Sequence, residues 1–398
     1  MLYLLLSFCA LASASVDASD AYARGMGFLK QKNAGEASAA FRECLEIDPA
    51  RNDCLWELGW AHWLTGDWKA VVSAWEELAA RSPKHHARLQ SQLGVARAQN
   101  NLAGEIQRLR EMAPPKITSS TGGSVRIRAV GDVMLGTDFP EGYLPPDNGA
   151  HLLDEVSGLL SDADFTFANL EGPLCDGGET TKCKPGGNCY AFRSPTLYGQ
   201  YLKDAGIDVV STANNHARDF GEFCRLETHK TLDTLDIAWS GPPGTTASLE
   251  HEGIRVGWVA FHTDAGSNHL NNTEKAVELV SALATSHPIV VVSFHGGAEG
   301  SKAIHTPNGK ETFYGEDRGN LRLFSHAVVD AGADLVLGHG PHVPRAMEIY
   351  NDRLIAYSLG NFATYGRFNL SGHLGKGMVL EVEMNPVGEF VAGKILST

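Results

Sequence analysis

Positive charge is in short supply in this chain. Lys and Arg number 33 against 47 Asp and Glu, a formal net charge of −14. That balance excludes non-specific binding to nucleic acid or to an anionic lipid surface, because both need a protein field of the opposite sign. A site that handles an anion must therefore bring its own local cation. Long apolar runs are also missing. None reaches the roughly 20 residues that a membrane-crossing helix needs, so the mature chain is expected to have no transmembrane segment. No G-x-x-x-x-G-K-[ST] run occurs, which removes P-loop kinases and ATPases, and "GPPGTT" (241–246) reads as a turn. C-x-x-C pairs are absent as well, so the irregular 175/183/189 cysteine spacing argues against a structural zinc site.

What is present suits a globular protein of two or three domains: 398 residues, 43% of them hydrophobic. The opening "MLYLLLSFCALASASVDASDA" combines an apolar segment with Ala12-Ser13-Ala14, an A-x-A cleavage pattern, although a basic leader region is missing. The reading is a signal peptide over residues 1–14 and an exported protein, periplasmic or extracellular and associated with the cell envelope. Of seven cysteines, Cys9 falls in that leader. The six that remain (Cys44, Cys54, Cys175, Cys183, Cys189 and Cys224) form an even set, which in an exported chain favours disulfides. The sequence leaves their pairing open, with Cys44–Cys54 one candidate pair. "LCDGGETTKCKPGGNC" (174–189) has few apolar residues to bury and would gain most from a covalent staple.

Residues 20–113 read as all-helical and repetitive. Gly25 and Gly59, Ala40 and Ala74, Phe41 and Trp75, and Pro49 and Pro83 are each 34 residues apart. That period resembles the tetratricopeptide repeat, in which small residues let paired helices approach and proline closes each unit. A degenerate third copy, "HARLQSQLGVARAQNNLAGEIQRLREM", caps the stack in this reading. Trp56, Trp60, Trp63, Trp68 and Trp75 are read as repeat core, with a groove for a protein partner as the alternative. "APPKITSSTGGS" (113–124) lacks apolar periodicity and marks a linker, placed at 114–124.

From residue 125 the pattern alternates. "VRIRAVGD", "FTFANLE", "VVSTANN", "IRVGWVAF", "IVVVSFH", "ADLVLGH" and "RLIAYSLGN" read as strands. The segments "HLLDEVSGLLSD", "SPTLYGQYLKDAG", "LETHKTLDTLD", "EKAVELVSALATSH" and "DRGNLRLFSHAVVDAG" read as helices between them. This indicates an α/β layered domain over 125–398, its sheet largely buried on both faces.

Five of these strand runs finish in polar residues: Asp132; Asn169 with Glu171; Asn214-Asn215-His216; His295; and His339 with His342, the last pair in "LGHGPHVP". Open α/β sheets bind ligands beyond the carboxyl ends of their strands, so these side chains are expected to converge. Carboxylates, amides and imidazoles crowded into a partly buried site are unfavourable neighbours unless a cation sits among them. A mixed nitrogen and oxygen donor set suits manganese, zinc or iron better than magnesium or calcium. With more than four candidate ligands, the pattern points to two divalent ions, which can generate a nucleophilic hydroxide near neutral pH.

The ordered motifs "GDVMLG", "NLEGPL", "STANNHARDFG", "SFHGGAE", "GHGPHV" and "SLGNF" resemble the calcineurin-like metallophosphoesterases. More closely they resemble the CapA branch, the poly-γ-glutamate capsule biosynthesis proteins, over about residues 125–385. The resemblance implies a four-layer β-sandwich flanked by helices. It also implies metal-binding roles for Asp132, Glu171 (as the bridging carboxylate), Asn215, His295, His339 and His342. His216 would donate a proton to the leaving group or steady the developing charge. Asn169, Asn214, Arg218, Glu299 and Asn361 would contact substrate or support the ligands. The wider superfamily opens with D-x-H, whereas Met134 stands where that histidine would be, which leaves one metal under-coordinated and opens two alternatives, a labile second ion or a single-metal site. A GDS-type lipase would need serine directly after Gly131-Asp132, where Val133 stands. "HTPNGKETFYGEDRG" reads either as a loop facing the site, with His305, Lys310, Tyr314 and Arg318 available to an anionic or peptide-like substrate, or as a surface loop of no special role. The resulting expectation is an exported metal-dependent hydrolase acting on a phosphoester or amide bond in an anionic envelope polymer or its precursor. A non-catalytic assembly factor that recruits partners through its helical repeats is the alternative.

Overall fold

The computed structural model describes residues 17–112, 123–180, 182–183 and 189–396. The signal peptide expected at 1–14 lies outside the described residues. So does the linker expected at 114–124, apart from Gly123 and Ser124. The chain divides into two compact units, Met1–Asn100 and Asn101–Thr398.

The first unit is all-helical, consistent with the repeat reading. It comprises α1 (Ala18–Lys30), α2 (Ala34–Ile47), α3 (Asn52–Thr65), α4 (Trp68–Arg81) and the start of α5 (Pro83–Glu111), a helix of 29 residues. Asp17, Asn33 and Asp67 cap α1, α2 and α4 by accepting backbone N–H groups that the helices leave unpaired. The 34-residue period has a steric meaning. A Cβ at Gly25 would stand 2.5 Å from the Phe41 ring, and one at Gly59 would stand 1.9 Å from Trp75. Each aromatic ring is thus seated on the glycine of an earlier helix. Trp75 is fully buried in the core, and the half-buried Trp56, Trp60, Trp63 and Trp68 pack against its cluster. Cys44 and Cys54 form a disulfide that ties α2 to α3.

In the second unit two seven-stranded sheets lie face to face. One has the order β16 (Phe390–Leu396), β15 (Val379–Met384), β1 (Val125–Met134), β2 (Phe165–Leu170), β3 (Val209–Ser211), β4 (Ala238–Ser240), with β14 (Asn361–Thr364) also paired to β1. The other has the order β12 (Met347–Tyr350), β13 (Arg353–Ala356), β11 (Leu335–His339), β8 (Ile289–His295), β6 (Ile254–His262), β5 (Ala247–His251), with β7 (Asn268–His269) on β6. Their central strands are parallel, and β5, β12, β15 and β16 are antiparallel additions at the flanks.

Period-two side-chain alternation sorts residues between layers. Val125, Ile127, Phe165 and Phe167 of one sheet meet Trp258, Ile289, Val291, Leu335 and Leu337 of the other. Val290, Val292, Phe294 and Val336 point the opposite way, onto α9 (Thr273–Ala284), α10 (Leu321–Asp330) and Ile106 and Leu109 of α5. Val130, Ala168, Leu170 and Val210 meet α6 (Asp154–Leu160), α7 (Tyr198–Asp204) and α8 (Gly221–Thr234). The result is the four-layer sandwich, helix–sheet–sheet–helix.

Two details depart from the strand pattern read in the sequence. "RLIAYSLGN" is not one strand: β13 belongs to one sheet and β14 to the other, so the chain crosses the sandwich between Ala356 and Asn361. "HTPNGKETFYGEDRG" contains a short hairpin, β9 (Glu311–Phe313) and β10 (Glu316–Gly319). The six cysteines make three disulfides, Cys44–Cys54, Cys175–Cys224 and Cys183–Cys189, so none is left for zinc.

Seating a ring on a glycine makes a testable demand. Gly59→Ala should destabilise the helical unit by about 1–3 kcal/mol, the usual consequence of overpacking. Gly94→Ala, where an added Cβ meets nothing within 4 Å, should be neutral or stabilising by up to about 1 kcal/mol. Urea melts of the full chain followed by tryptophan fluorescence read both.

Candidate metal centre

The site begins with backbone geometry. An added Cβ at Gly131 would lie 1.9 Å from the Gly360 carbonyl oxygen, so only glycine lets β14 approach β1 here. The Asp132 N–H then donates to that carbonyl at 2.9 Å. Register shifts on either side of Asp132 re-aim its side chain, as β-bulges do. Asp132 therefore lies within β1 rather than at its end, opposite Asn169 on β2 and Asn361 on β14. In the facing sheet His262, His295 and His339 are the last residues of β6, β8 and β11 and stand in register with one another.

These two sets meet. Asn169 Nδ2 donates to Asp132 Oδ1 at 2.8 Å and lies 3.3 Å from His295 Nδ1. His342 Nδ1–H donates to Asp132 Oδ2 at 2.9 Å, and His339 Nδ1 is 3.3 Å from Asp132 Oδ1. Glu171 Oε1 lies 3.6 Å from His342 Nε2 and 3.7 Å from His295 Nε2. Candidate ligand atoms of Asp132, Glu171 and His342 fall within 4.8 Å of one another. His342 adopts φ 59°, a left-handed backbone that a non-glycine residue holds only where its surroundings enforce it.

The cluster does not satisfy itself. Both Glu171 carboxylate oxygens, His295 Nε2, both ring nitrogens of His339, Asn215 Oδ1 and Asn361 Oδ1 are buried without a hydrogen-bond partner. Each such group ordinarily costs about 1–3 kcal/mol. Burial pushes the Glu171 carboxyl well above its usual range, and the nearby Asp132 and Glu299 charges add to that. Burial acts on Asp132 too, but the His342 hydrogen bond and the nearby His339 ring outweigh it and hold its carboxyl low. His342 is raised to about 10: burial opposes its charge, yet Glu171, Asp132 and Glu299 together overcome this. Burial drives His295 the other way, well below the usual histidine value, and His262 and Arg318 add to that. The donor set, two carboxylates with three imidazoles, fits manganese, zinc or iron.

A second group adjoins it. Asn214 Nδ2 donates to Leu170 O at 2.8 Å and to Asn169 Oδ1 at 3.3 Å, while Asn214 Oδ1 accepts the His216 N–H at 3.1 Å. The His216 ring stacks on Phe192, with centroids 4.1 Å apart, and its Nδ1–H donates to Asp219 Oδ2 at 2.7 Å. Arg218 is exposed and lines a small recess with Asn214, Asn215 and Asp264. Glu299 pairs with Arg318 at 2.9 Å, and its other oxygen lies 3.8 Å from His342 Nε2. Asn361 Nδ2 donates to Leu374 O at 2.9 Å. Met134 is buried, and its side chain leaves no room for a Cβ at Gly172, beside Glu171.

The loop residues singled out for an anionic substrate behave differently. Arg318 is 1% exposed and binds the Gly297 carbonyl and Glu299, so it is internal scaffolding. Lys310 pairs with Asp317 at 2.6 Å, and Tyr314 points into solvent at 93% exposure.

Sequence reasoning passed over four residues at this edge. His262 ends "VAFH" just as His295 ends "VSFH", a parallel that could have found it; its Nδ1–H donates to the His295 carbonyl at 2.8 Å. Asp219 stands three residues after His216, within reach of a turn that folds back. Phe192 and Lys182 carry no local signal. Lys182 Nζ nonetheless binds Asp219 Oδ1 and lies 3.4 Å from His216 Nδ1.

Comparison with known proteins agrees with this architecture. The chain is 26% identical over 269 residues to the capsule biosynthesis protein CapA of Bacillus anthracis, covering 65% of this chain and 63% of that one. It is 26% identical over 265 residues to the PGA biosynthesis protein CapA of Bacillus subtilis, covering 62% and 65%. It thus spans a little under two thirds of the length of either relative. A solved O-GlcNAc transferase of Thermobaculum terrenum aligns at 12% identity with a TM-score of 0.21, over 83% of this chain and 72% of that one, which is too low to carry an argument. Residues 126–365, more than half of the chain and including every side chain of the cluster, match the family described as bacterial capsule synthesis protein PGA_cap, and the chain belongs to that family.

Proposed function

We propose that the protein is a metal-dependent hydrolase that cleaves or transfers a phosphoester or amide bond in making, exporting or anchoring an anionic capsule or envelope polymer such as poly-γ-glutamate. Family membership and the names of its relatives support the polymer context. One observation supports the chemistry above all: buried oxygens and nitrogens at Glu171, His295, His339 and Asn215 that lack partners, gathered at the edge that holds Asp132.

Asp132, Glu171 and His342 would hold a divalent ion, and His295, His339 and Asn215 would hold a second, with Glu171 between them. Bound there, such ions supply a nucleophilic hydroxide near neutral pH and positive charge for a substrate oxyanion. The protein's own part is positional. Asn169 fixes Asp132, and Asn214 fixes the backbone N–H of His216. Asp219 takes the His216 Nδ1–H, which leaves Nε2 for the reacting group; in the imidazolium form, which the Asp219 carboxylate favours, the Nε2 proton would pass to the leaving atom. Phe192 covers one ring face and limits the positions His216 can take.

Metal and catalysis separate experimentally. Added Mn²⁺ or Zn²⁺ at 100 times Kd should stabilise the full chain by about 2.7 kcal/mol, read as a rise in melting temperature. Glu171→Gln should abolish most of that rise while leaving the metal-free melt unchanged or higher, because it removes a buried unpaired carboxylate. Lower pH should weaken metal binding, since protons compete for the three imidazoles and the two carboxylates; calorimetry across pH 5 to 8 in several buffers reads the proton release. His216→Gln should keep the metal-induced rise yet lower turnover of a chromogenic phosphodiester or γ-glutamyl anilide by about 10²–10⁴-fold. Turnover that survives exhaustive chelation, or a fully active His216→Gln, would overturn the hydrolase reading. Full polymer formation by such a variant would favour the assembly-factor alternative.

A further inference from the structure

The segment between Cys175 and Cys189 has no place in the reading above, yet it delivers a cation to the site's most constrained histidine. Lys182 Nζ binds Asp219 Oδ1, lies 3.3 Å from the Asn215 carbonyl oxygen and 3.4 Å from His216 Nδ1. Asp219 is buried and fully engaged: one oxygen takes Lys182, and the other takes the His216 Nδ1–H at 2.7 Å and the Phe192 N–H at 2.8 Å. Rotation of this carboxylate would turn the imidazole with it. His216 and the Phe192 N–H fix one oxygen, and Lys182 fixes the other.

Lys182 is itself held from outside. Its neighbour Cys183 is bonded to Cys189, to whose carbonyl oxygen Arg367 Nη2 donates at 2.8 Å. The Arg367 guanidinium lies against the Tyr143 and Tyr190 rings, 5.0 and 5.1 Å from their centroids. A covalent and polar chain thus runs from Arg367 through the disulfide to Lys182, Asp219 and His216. The Cys175–Cys224 bond anchors the start of the segment to α8. A lysine has four rotatable side-chain bonds, and holding this partly exposed one against a buried carboxylate loses much conformational freedom. The staple reduces that loss by fixing the backbone one residue away.

We propose that Lys182, held in place by the Cys183–Cys189 disulfide, is a positioning residue that aims the His216 imidazole through Asp219, so that the site is fully aligned only while this disulfide is intact. The proposal rests on the role given to His216 above, and it asks for a measurement independent of turnover. An imidazole N–H donated to a buried carboxylate gives a proton resonance far downfield of the amides, and His216→Gln identifies which one belongs to His216. In the full-length oxidised protein this resonance should be present. Lys182→Arg should retain it; Lys182→Met should lose or shift it, as should a Cys183→Ser/Cys189→Ser double variant that melts cooperatively. In turnover, Lys182→Met should lower kcat roughly 10-fold with KM unchanged, the lower end expected for outer-shell partners, and Lys182→Arg should recover most of it. No downfield resonance in the oxidised protein, one unaffected by Lys182→Met, or an unchanged kcat in that variant would overturn the proposal. A resonance that depends on Lys182 in a protein without turnover would count against the hydrolase reading and leave the positioning inference standing.

Discussion

Two carboxylates, Asp132 and Glu171, sit at 0% exposure at one sheet edge; Asn169 and His342 satisfy the first, while neither oxygen of the second has a partner. The rest of the second unit is what makes so unfavourable an arrangement sustainable. Charge in a low-dielectric interior is tolerated only when opposite charge and donors are held in place before it arrives. The apolar layer between the sheets, centred on Trp258 stacked over Phe167, holds the two sheet edges at a fixed spacing. The outer helices cover both remaining faces of the sheets.

The division of labour between the sheets follows from this. One provides oxygen: Asp132, Asn169, Glu171 and Asn361. The other provides nitrogen: His295 and His339, with His262 behind them. Neither set binds a transition ion well alone, and stacking converts two partial sets into one mixed one. His342 stands apart, on a strained turn after β11, and bridges the sets by reaching Asp132 and Glu171 together.

Much of this was legible in the sequence because parallel strands read as apolar runs ending at one edge. Residues such as His295 and His339 could be placed from strand order alone. The 34-residue period was legible for a related reason: a ring and the glycine it covers are a steric pair that leaves a mark at fixed spacing. Other features were hidden. Asp132 reached its position through a bulge inside a strand, which no periodicity announces. Arg318 looked like a substrate contact because the sequence shows charge but not burial. Lys182 meets Asp219 from a segment stapled by the Cys183–Cys189 bond, a connectivity that local pattern cannot express.

The crossing from β13 to β14 also has a mechanical side. Between Ala356 and Asn361 the backbone itself passes from one sheet to the other, and the Gly360 carbonyl along the way takes the Asp132 N–H. The sandwich is therefore pinned like two boards by a dowel set beside the charged cluster. Sliding or breathing motions of the layers would be restricted most beside this crossing and the one from β4 to β5, and the flanks formed by β12 and β16 would move most. Amide protons near the pin would then be the last in the unit to exchange with solvent, whatever the ends of the sheets are doing.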